Sequence, residues 1–300
     1  MDARARAAVM RIDLMAGATL SAALPAQNSQ PVILVFDSGL GGLTVLEQVR
    51  RARPDAAYVY AADDAAFPYG ALTEDRLVAR VIAVMERLLL RHAPDLVVIA
   101  CNTASTLVLP ALRQRFVTPF VGVVPPIKPA AALTRTRLIS LLATPGTVAR
   151  AYTHDLVANF AGDCAVTLVG SKNLAGYAEA EMAGEPVSDA AILAEIAPCF
   201  VEGADGAYTD VVCLSCTHYP LLLPGFERLA PWPVTWIDPA PAIARRVIQL
   251  LGEMPAHALD APPACAVFTG GAGLNPALGR SLERRGLSET VIEAMPLTLC

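Results

Sequence analysis

Blocks of apolar residues alternate with mixed polar and apolar stretches along most of the chain. From Pro31 onward, short apolar runs, many of them β-branched, predict eight strands. These strands are predicted at Val32–Phe36, Tyr58–Ala61, Leu96–Ala100, Phe120–Val124, Leu138–Ala143, Val166–Val169, Val211–Leu214 and Val234–Ile237. The clearest helices are predicted at Leu43–Arg53, Thr73–His92, Thr147–Phe160 and Ser188–Val201. Continuous apolar strands that alternate with helices are typical of an α/β fold whose parallel sheet is covered on both faces.

Polar residues cluster directly after several predicted strands. Asp37-Ser38-Gly39 follows the first strand, Asp63-Asp64 the second and Cys101-Asn102-Thr103 the third. Cys216-Thr217-His218 comes shortly after the run that ends at Leu214. The carboxyl ends of parallel strands form the ligand crevice in such sheets, so these residues are candidates for a site. The echo between Cys-Asn-Thr and Cys-Thr-His suggests two similar α/β domains that face one another.

The overall composition excludes several classes of protein. Hydrophobic residues make up 54% of the chain and charged residues 17%, which is a globular balance. The formal net charge of -5 does not favour nucleic acid as a partner. The seven cysteines are an odd number without a repeated spacing, which is typical of reduced thiols in a cytoplasmic protein. No apolar run reaches the ~18 residues that a membrane helix needs, so no membrane association is expected.

The first thirty residues form a separate segment. Arginines followed by an Ala/Leu-rich stretch loosely imitate a secretory signal, but Asp13 sits beside a weakly apolar core. We interpret residues 1–30 as a disordered extension or as the product of an upstream start codon.

Cys101 lies where a strand ends and a helix is predicted to begin. Asn102, Thr103 and Ser105 are residues of the type that cap helices. A helix amino terminus stabilises a thiolate, so we expect a lowered pKa for this thiol and a functional role. The alternative is a buried structural cysteine, which is common after an apolar strand.

Cys216 also ends a strand, and His218 supplies a titratable partner two residues later. Cys213 and Cys216 together form a C-x-x-C pattern that could indicate a redox or zinc site. Cys213 falls inside the predicted strand, however, and no second ligand pair completes a zinc site. The sequence therefore favours Cys216 as a single functional thiol.

Two loops remain ambiguous from their residues alone. Asp37-Ser38-Gly39 leads into further glycines that match neither a phosphate loop nor a dinucleotide fingerprint. This turn could bind a substrate carboxylate through its amides, or it could be purely structural. The Phe67–Gly70 segment reads as ordinary loop chemistry.

Eight segments together resemble the glutamate racemase family, and more narrowly its longer proteobacterial type. They are V-F-D-S-G-L-G-G-L (35–43), D-D-A-A-F-P-Y-G (63–70), I-A-C-N-T-A-S (99–105), V-G-V-V-P-P-I-K-P-A-A (121–131), L-L-A-T-P-G-T-V (141–148), A-E-A-E-M-A-G-E (178–185), S-C-T-H-Y-P-L-L (215–222) and A-I-A-R-R (242–246). The resemblance covers roughly residues 31–250. Ser215 departs from it, because the family usually has glycine at this position.

The resemblance implies a fold and a set of site residues. The fold would be two doubly wound parallel-sheet domains with the active site in the cleft between them. We predict residues 31–124 plus 239–290 for the first domain and 125–238 for the second. Cys101 and Cys216 would be the catalytic acid and base, assisted by Asp37 and His218, with Asp63 a family acid near the site. The implied substrate-binding residues are Asp37, Ser38, Tyr69, Gly70, Asn102, Thr103, Thr217 and His218.

The predicted reaction is the interconversion of L- and D-glutamate, which would supply D-glutamate for peptidoglycan. Racemisation needs two bases on opposite sides of the α-carbon, and thiols titrate close enough to neutral pH for both roles. Pyridoxal phosphate needs a lysine, and neither Lys128 nor Lys172 lies in a suitable motif, so no cofactor is expected. The resemblance is compatible with a homodimer and with activation by a peptidoglycan precursor. Two alternatives stay open: a related aspartate racemase or thiol-dependent isomerase, and a non-enzymatic binding protein.

Overall fold

Ten parallel strands form two sheets in the computed structural model, which describes residues 30–204, 206–253, 264–271 and 273–295. The first sheet has the order β10-β9-β2-β1-β3-β4, and the second has the order β6-β5-β7-β8. The strands are β1 (Val32–Asp37), β2 (Ala57–Ala62), β3 (Leu96–Ile99), β4 (Phe120–Gly122), β5 (Leu138–Ala143), β6 (Ala165–Gly170), β7 (Val211–Ser215), β8 (Thr235–Ile237), β9 (Ala264–Phe268) and β10 (Leu287–Ile292). The predicted extension of residues 1–30 lies outside the described residues, except for residue 30.

Helices connect successive strands and cover both faces of each sheet. They are α1 (Leu43–Ala52), α2 (Glu74–His92), α3 (Asn102–Arg115), α4 (Ile127–Leu133), α5 (Pro145–Val148), α6 (Ala151–Phe160), α7 (Leu174–Met182), α8 (Asp189–Ile196), α9 (Leu223–Leu229), α10 (Ala240–Leu251) and α11 (Pro276–Arg284). Short 3₁₀ turns lie at Asp64–Ala66, Tyr69–Ala71, Ala197–Cys199 and Tyr219–Leu222. No helix among the described residues is both long and apolar enough to cross a membrane.

The apolar runs are continuous because each strand contributes to two cores. In β1, Ile33 and Val35 pack into one core while Leu34 and Phe36 pack into the core on the opposite face. In β7, Cys213 and Leu214 divide in the same way between the two faces of the second sheet. The α/β fold predicted from the pattern is therefore confirmed, and all eight predicted strands are present.

Two of the predicted helices are shorter than expected. The stretch 147–160 is two helices, because Arg150 adopts an extended conformation and the Thr153 hydroxyl donates to the Thr147 carbonyl at 2.7 Å. The stretch 188–201 stops being α-helical at Ile196, where a 3₁₀ turn that contains Pro198 begins. Proline has no amide hydrogen to continue the helical ladder.

The chain crosses from the first sheet to the second after β4 and returns after β8. The first sheet thus combines the N-terminal strands with β9 and β10 from the C-terminal part. The predicted boundaries at 124/125 and 238/239 remain a prediction.

Candidate functional site

Loops at the carboxyl ends of strands from both sheets enclose one small cavity. The lining residues are Ser38, Phe67, Pro68, Tyr69, Gly70, Cys101, Asn102, Thr103, Thr144, Ala175, Cys216, Thr217 and His218. Its volume is about 20 Å³, which is room for about one water molecule. A molecule of the size of an amino acid can enter only if the two walls of this cavity separate.

Asp37 lies behind the cavity wall and joins the two halves of the site. Its carboxylate is fully buried, and Oδ2 accepts hydrogen bonds from the Gly42 amide at 2.6 Å and from the Thr217 hydroxyl at 3.3 Å. Burial is the main cause of its raised pKa, which the positive charge of His218 partly offsets.

Two amides of the glycine turn after β1 are bonded to carboxylates of the protein itself. The Leu40 amide donates to Glu179 at 2.6 Å, and the Gly42 amide donates to Asp37. These two amides are therefore engaged within the protein, and a contact between this turn and a substrate carboxylate stays a prediction. Gly41 is needed here because a Cβ would lie 2.5 Å from the Thr217 hydroxyl of the opposite wall.

Cys101 immediately precedes α3 and is 6% exposed. Its Sγ lies 3.7 Å from the Ser38 hydroxyl. Burial and the nearby Asp37 carboxylate raise the pKa of the Cys101 thiol, while hydrogen bonds from the Ala104 amide and from Ser38 lower it less. The predicted lowering of this pKa is therefore wrong: the helix amino terminus is present, but loss of solvation outweighs it.

Cys216 follows β7 and faces a histidine. Its Sγ lies 3.6 Å from His218 Nδ1, and the other ring nitrogen, Nε2, lies 2.7 Å from Glu179 Oε1. Nε2 is also 3.2 Å from the Gly41 amide, but one nitrogen cannot donate to a carboxylate and accept from an amide together. The shorter contact assigns the Nε2 proton to the bond with Glu179.

The pKa of His218 is raised by its partners in the site. Burial alone lowers its pKa, but hydrogen bonds to Cys216 and Glu179 and the charges of Cys216 and Asp37 together raise it well above its ordinary value. A protonated imidazole at this position donates to Glu179 through Nε2 and faces the sulfur through Nδ1. Phe67 packs against the ring at a centroid distance of 5.5 Å.

Asn102 and Thr103 supply the polar groups of the first wall. Both amide atoms of Asn102 are buried and lack a hydrogen-bond partner within the described part of the chain. Thr103 Oγ1 lies 3.0 Å from Thr144 Oγ1 and 3.3 Å from Thr147 Oγ1, which joins α3 to the start of α5 across the two sheets. Hydroxyl and amide groups in this arrangement can hold the carboxylate and amine of an amino acid.

Tyr69 and Gly70 also reach the cavity wall, on a short turn after β2. The Tyr69 hydroxyl donates to Asp63 at 2.7 Å, so Asp63 lies behind this residue and does not line the cavity. Burial and the charge of Asp63 raise the pKa of Tyr69 well above its ordinary value.

The sequence pattern missed three residues that the fold brings to the site. Thr144 follows β5 directly, so the rule used for the other strand ends also applies to it. Thr147 lies one turn further along. Glu179 sits within α7; its segment 178–185 carries the family resemblance, but a position inside a helix gives no sign of a role in the site.

The other candidate chemistries do not converge on the cavity. Cys213 is buried within β7, where its Sγ lies 3.7 Å from the Pro126 carbonyl. Lys128 and Lys172 are exposed, and Lys128 lies over the Phe160 ring at 5.5 Å. Among the described ranges, no cluster of three or more His, Cys, Asp or Glu side chains could hold a metal ion.

Comparisons with known proteins agree on one family. The model of the Asp/Glu/Hydantoin racemase family matches residues 43–247. A glutamate racemase from Brucella anthropi is 56% identical over 230 residues, which cover 76% of this chain and 82% of that protein. One from Mesorhizobium japonicum is 54% identical over 262 residues, or 87% and 99% of the two chains.

Solved structures show the same relationship. The Escherichia coli glutamate racemase, crystallised with L-glutamate and the activator UDP-MurNAc-Ala, superimposes with a TM-score of 0.81 at 41% identity. That match covers 90% of this chain and all of the other. A Bacillus anthracis glutamate racemase gives a TM-score of 0.70 at 25% identity, with 90% and 99% covered. This chain belongs to the Asp/Glu/hydantoin racemase family and, within it, to the glutamate racemases.

Proposed function

We propose that this protein interconverts L- and D-glutamate without an organic cofactor, with Cys101 and Cys216 as the acid and base at the α-carbon. The observation that carries the proposal is that two thiols from two different sheets line the same cavity. Racemisation requires proton transfer at opposite faces of one carbon atom. Thiols that approach from separate walls supply that geometry.

Both thiols are available for proton transfer. Cys101 and Cys216 are free and almost completely buried, at 6% and 8% exposure. A buried site strengthens the interaction of a charged sulfur with its neighbours, because little water is present to screen it. The six described cysteines are free thiols, and we propose that the protein acts in the cytoplasm, where thiols stay reduced.

The reaction balances with the two sulfurs alone. A thiolate takes the α-proton, so that the Cα–H bond breaks and its electron pair stays on the substrate. The thiol at the opposite wall then gives its proton to the other face of the same carbon. The two cysteines have exchanged protonation states, and the reverse reaction uses them in reversed roles.

His218 and Asp37 assist from different sides. His218 faces Cys216 at 3.6 Å and can give a proton to this sulfur or stabilise its negative charge. The negative charge of the Asp37 carboxylate acts on Cys101 and favours the thiol form of that residue. The charge of Asp37 thus favours Cys101 as the acid of the pair.

The polar groups around the sulfurs would hold glutamate. The proposed contacts come from Ser38, Tyr69, Gly70, Asn102, Thr103, Thr217 and His218, with Asp37 behind them. The unpartnered amide of Asn102 offers one donor and one acceptor group to the substrate. The product D-glutamate would enter peptidoglycan synthesis. By analogy with the Escherichia coli relative, we propose a nucleotide-linked peptidoglycan precursor as an activator.

A chiral assay with purified protein, L-glutamate and no added cofactor tests the activity. We expect circular dichroism to show racemisation, and deuterium from the solvent to appear at the α-carbon. L-Aspartate in a parallel reaction should turn over much more slowly. If aspartate turned over faster than glutamate, aspartate would be the preferred substrate. Addition of UDP-MurNAc-Ala should raise the rate.

Single substitutions test the two-thiol mechanism. Cys101→Ala and Cys216→Ala should each lower turnover by about a thousandfold or more, since each removes an essential acid or base. Cys164→Ala, which removes a partly exposed thiol outside the cavity, is the matched control and should keep the wild-type rate. Near-normal turnover by either cavity variant would show that the mechanism is wrong.

A further inference from the structure

The Asp63 carboxylate links the carboxyl end of β9 to the wall of the cavity by hydrogen bonds. This side chain is fully buried and receives hydrogen bonds on both oxygens. Arg80 donates to Oδ2 at 2.9 Å and to Oδ1 at 2.6 Å, and Tyr69 donates to Oδ2 at 2.7 Å. The hydroxyl of Thr269, the residue after β9, donates to Oδ1 at 2.7 Å.

Thr269 is held from several directions. Its amide donates to the Ala62 carbonyl at 3.1 Å, which continues the pairing of β9 with β2. Its hydroxyl, which has one proton, gives it to Asp63 and accepts the Ala65 amide at 3.1 Å. The next two amides, of Gly270 and Gly271, donate to the Asp64 carboxylate at 2.8 and 2.6 Å. The end of β9 therefore fixes the turn that carries both aspartates.

The same carboxylate controls the wall of the cavity on its other side. Tyr69 begins the 3₁₀ turn Tyr69–Ala71, and Gly70 in this turn lines the cavity. Gly70 also meets the opposite half of the site, since a Cβ built on Gly146 would lie 3.8 Å from its Cα. A displacement of the Tyr69 hydroxyl therefore moves the backbone that borders the cavity.

We infer that Thr269 is a positioning residue for glutamate binding, which acts through Asp63 on the Tyr69–Gly70 wall. The inference rests on the proposed function, because it assigns substrate contact to that wall. Without the Thr269 hydroxyl, Oδ1 of Asp63 loses one of the two hydrogen bonds that it accepts within the described residues, and the carboxylate and the tyrosine bonded to it are held less firmly. Thr269 lies outside residues 43–247, which match the family model.

Three variants separate positioning from simple stability. Thr269→Val keeps the branched shape and removes the hydroxyl, whereas Thr269→Ser keeps the hydroxyl. Thr209→Val is the matched control. It removes another buried hydroxyl, which accepts the Val201 amide at 3.1 Å away from the cavity.

We expect Thr269→Val to raise KM for L-glutamate about tenfold while kcat stays within about threefold, because a misplaced contact weakens binding more than proton transfer. Thr269→Ser should return KM to within about twofold of wild type, and Thr209→Val should leave KM unchanged even if its Tm falls. A Thr269→Val protein with wild-type KM, or a serine variant that fails to restore KM, would overturn the inference.

Calorimetry measures the Kd of L-glutamate for the same proteins, so this second test does not depend on turnover. If the wild type binds glutamate but does not racemise it, the proposed reaction is wrong, and the inference is then judged on Kd. An increase of about tenfold in Kd for Thr269→Val, with rescue by serine, supports it. Equal Kd values for wild type and Thr269→Val contradict it.

Discussion

Cys101 and Cys216 occupy the same place in two sheets, since each follows the carboxyl end of a parallel strand. Their neighbours differ. Cys101 has the Ser38 hydroxyl at 3.7 Å and the negative charge of Asp37 nearby, whereas Cys216 has the His218 ring at 3.6 Å, backed by Glu179. One thiol has a neighbour that favours its protonated form, and the other has a neighbour that can exchange a proton with it.

This difference shows what the fold decides and what the local side chains decide. The parallel sheets place both sulfurs at one cavity, because strand ends of the same direction gather at one edge. The proton affinity of each sulfur then depends on its own contacts. Two similar sheets can therefore place two thiols with different proton-transfer properties in one active site.

The largest effect that tests this asymmetry is expected from His218→Asn. Loss of the titratable partner of Cys216 should lower kcat by about a hundredfold or more, within the range usual for a general acid–base group. Ser38→Ala, beside Cys101, should lower kcat by about tenfold or less, because the Ser38 hydroxyl adjusts the pKa of the thiol but does not carry the transferred proton. Racemisation assays in both directions measure this.

The exposed His154, also replaced by asparagine, is the control and should keep the wild-type rate. Equal losses for His218→Asn and Ser38→Ala would contradict the asymmetry between the two halves.

A smaller effect is expected from Glu179→Gln. The hydrogen bond from His218 to Glu179 helps to raise the pKa of His218, so a neutral glutamine should lower that pKa. The limb of the kcat/KM profile that reports this proton should move to lower pH by about one unit, with a loss of about tenfold or less at neutral pH. A profile that keeps its wild-type position would show that Glu179 does not act on His218.

The smallest effect is expected at Ser215, directly before Cys216. Its hydroxyl is buried and has no hydrogen-bond partner within the described part of the chain. Ser215→Ala should therefore raise the free energy of unfolding by about 1 kcal/mol, because it removes an unsatisfied polar group. The racemisation rate should stay within about twofold of wild type.

Urea denaturation measures this change in stability. Ser140→Ala is the control with the opposite sign: Ser140 is also buried in a strand of the second sheet, but its hydroxyl donates to the Cys199 carbonyl at 2.7 Å. If Ser215→Ala destabilised the protein as much as Ser140→Ala, the hydroxyl of Ser215 would have to be satisfied in solution.

The sequence predicts the buried strands of the two sheets better than it predicts β9 and β10. Strand β3, with the sequence L-V-V-I, is covered on both faces and therefore appears as an unbroken apolar run. β9 and β10 were missed because one is rich in alanine and the other is an edge strand with exposed Ser288, Glu289 and Thr290. Thr269 was missed with them.

Most of the predicted site residues follow strands, but Thr144 directly follows β5 and was still missed, and Glu179 comes from within a helix. Cys101 and Cys216 carry local signals, but Glu179 reaches Leu40 across 139 positions of sequence from within a helix. The raised pKa of Cys101 also depends on residues that are distant in the sequence. A strand-to-helix junction predicts a stabilised thiolate, while burial depends on how the second sheet closes over it.

The cavity of about 20 Å³ makes catalysis depend on movement of its walls. Each catalytic cycle must include one separation of the walls to admit the amino acid and another to release it. Motions of this kind take microseconds to milliseconds, so they set a ceiling on turnover, however fast the proton moves. Between the two separations, the proton on the protonated sulfur cannot exchange with bulk water, so the hydrogen given to the α-carbon in that turnover comes from the protein itself.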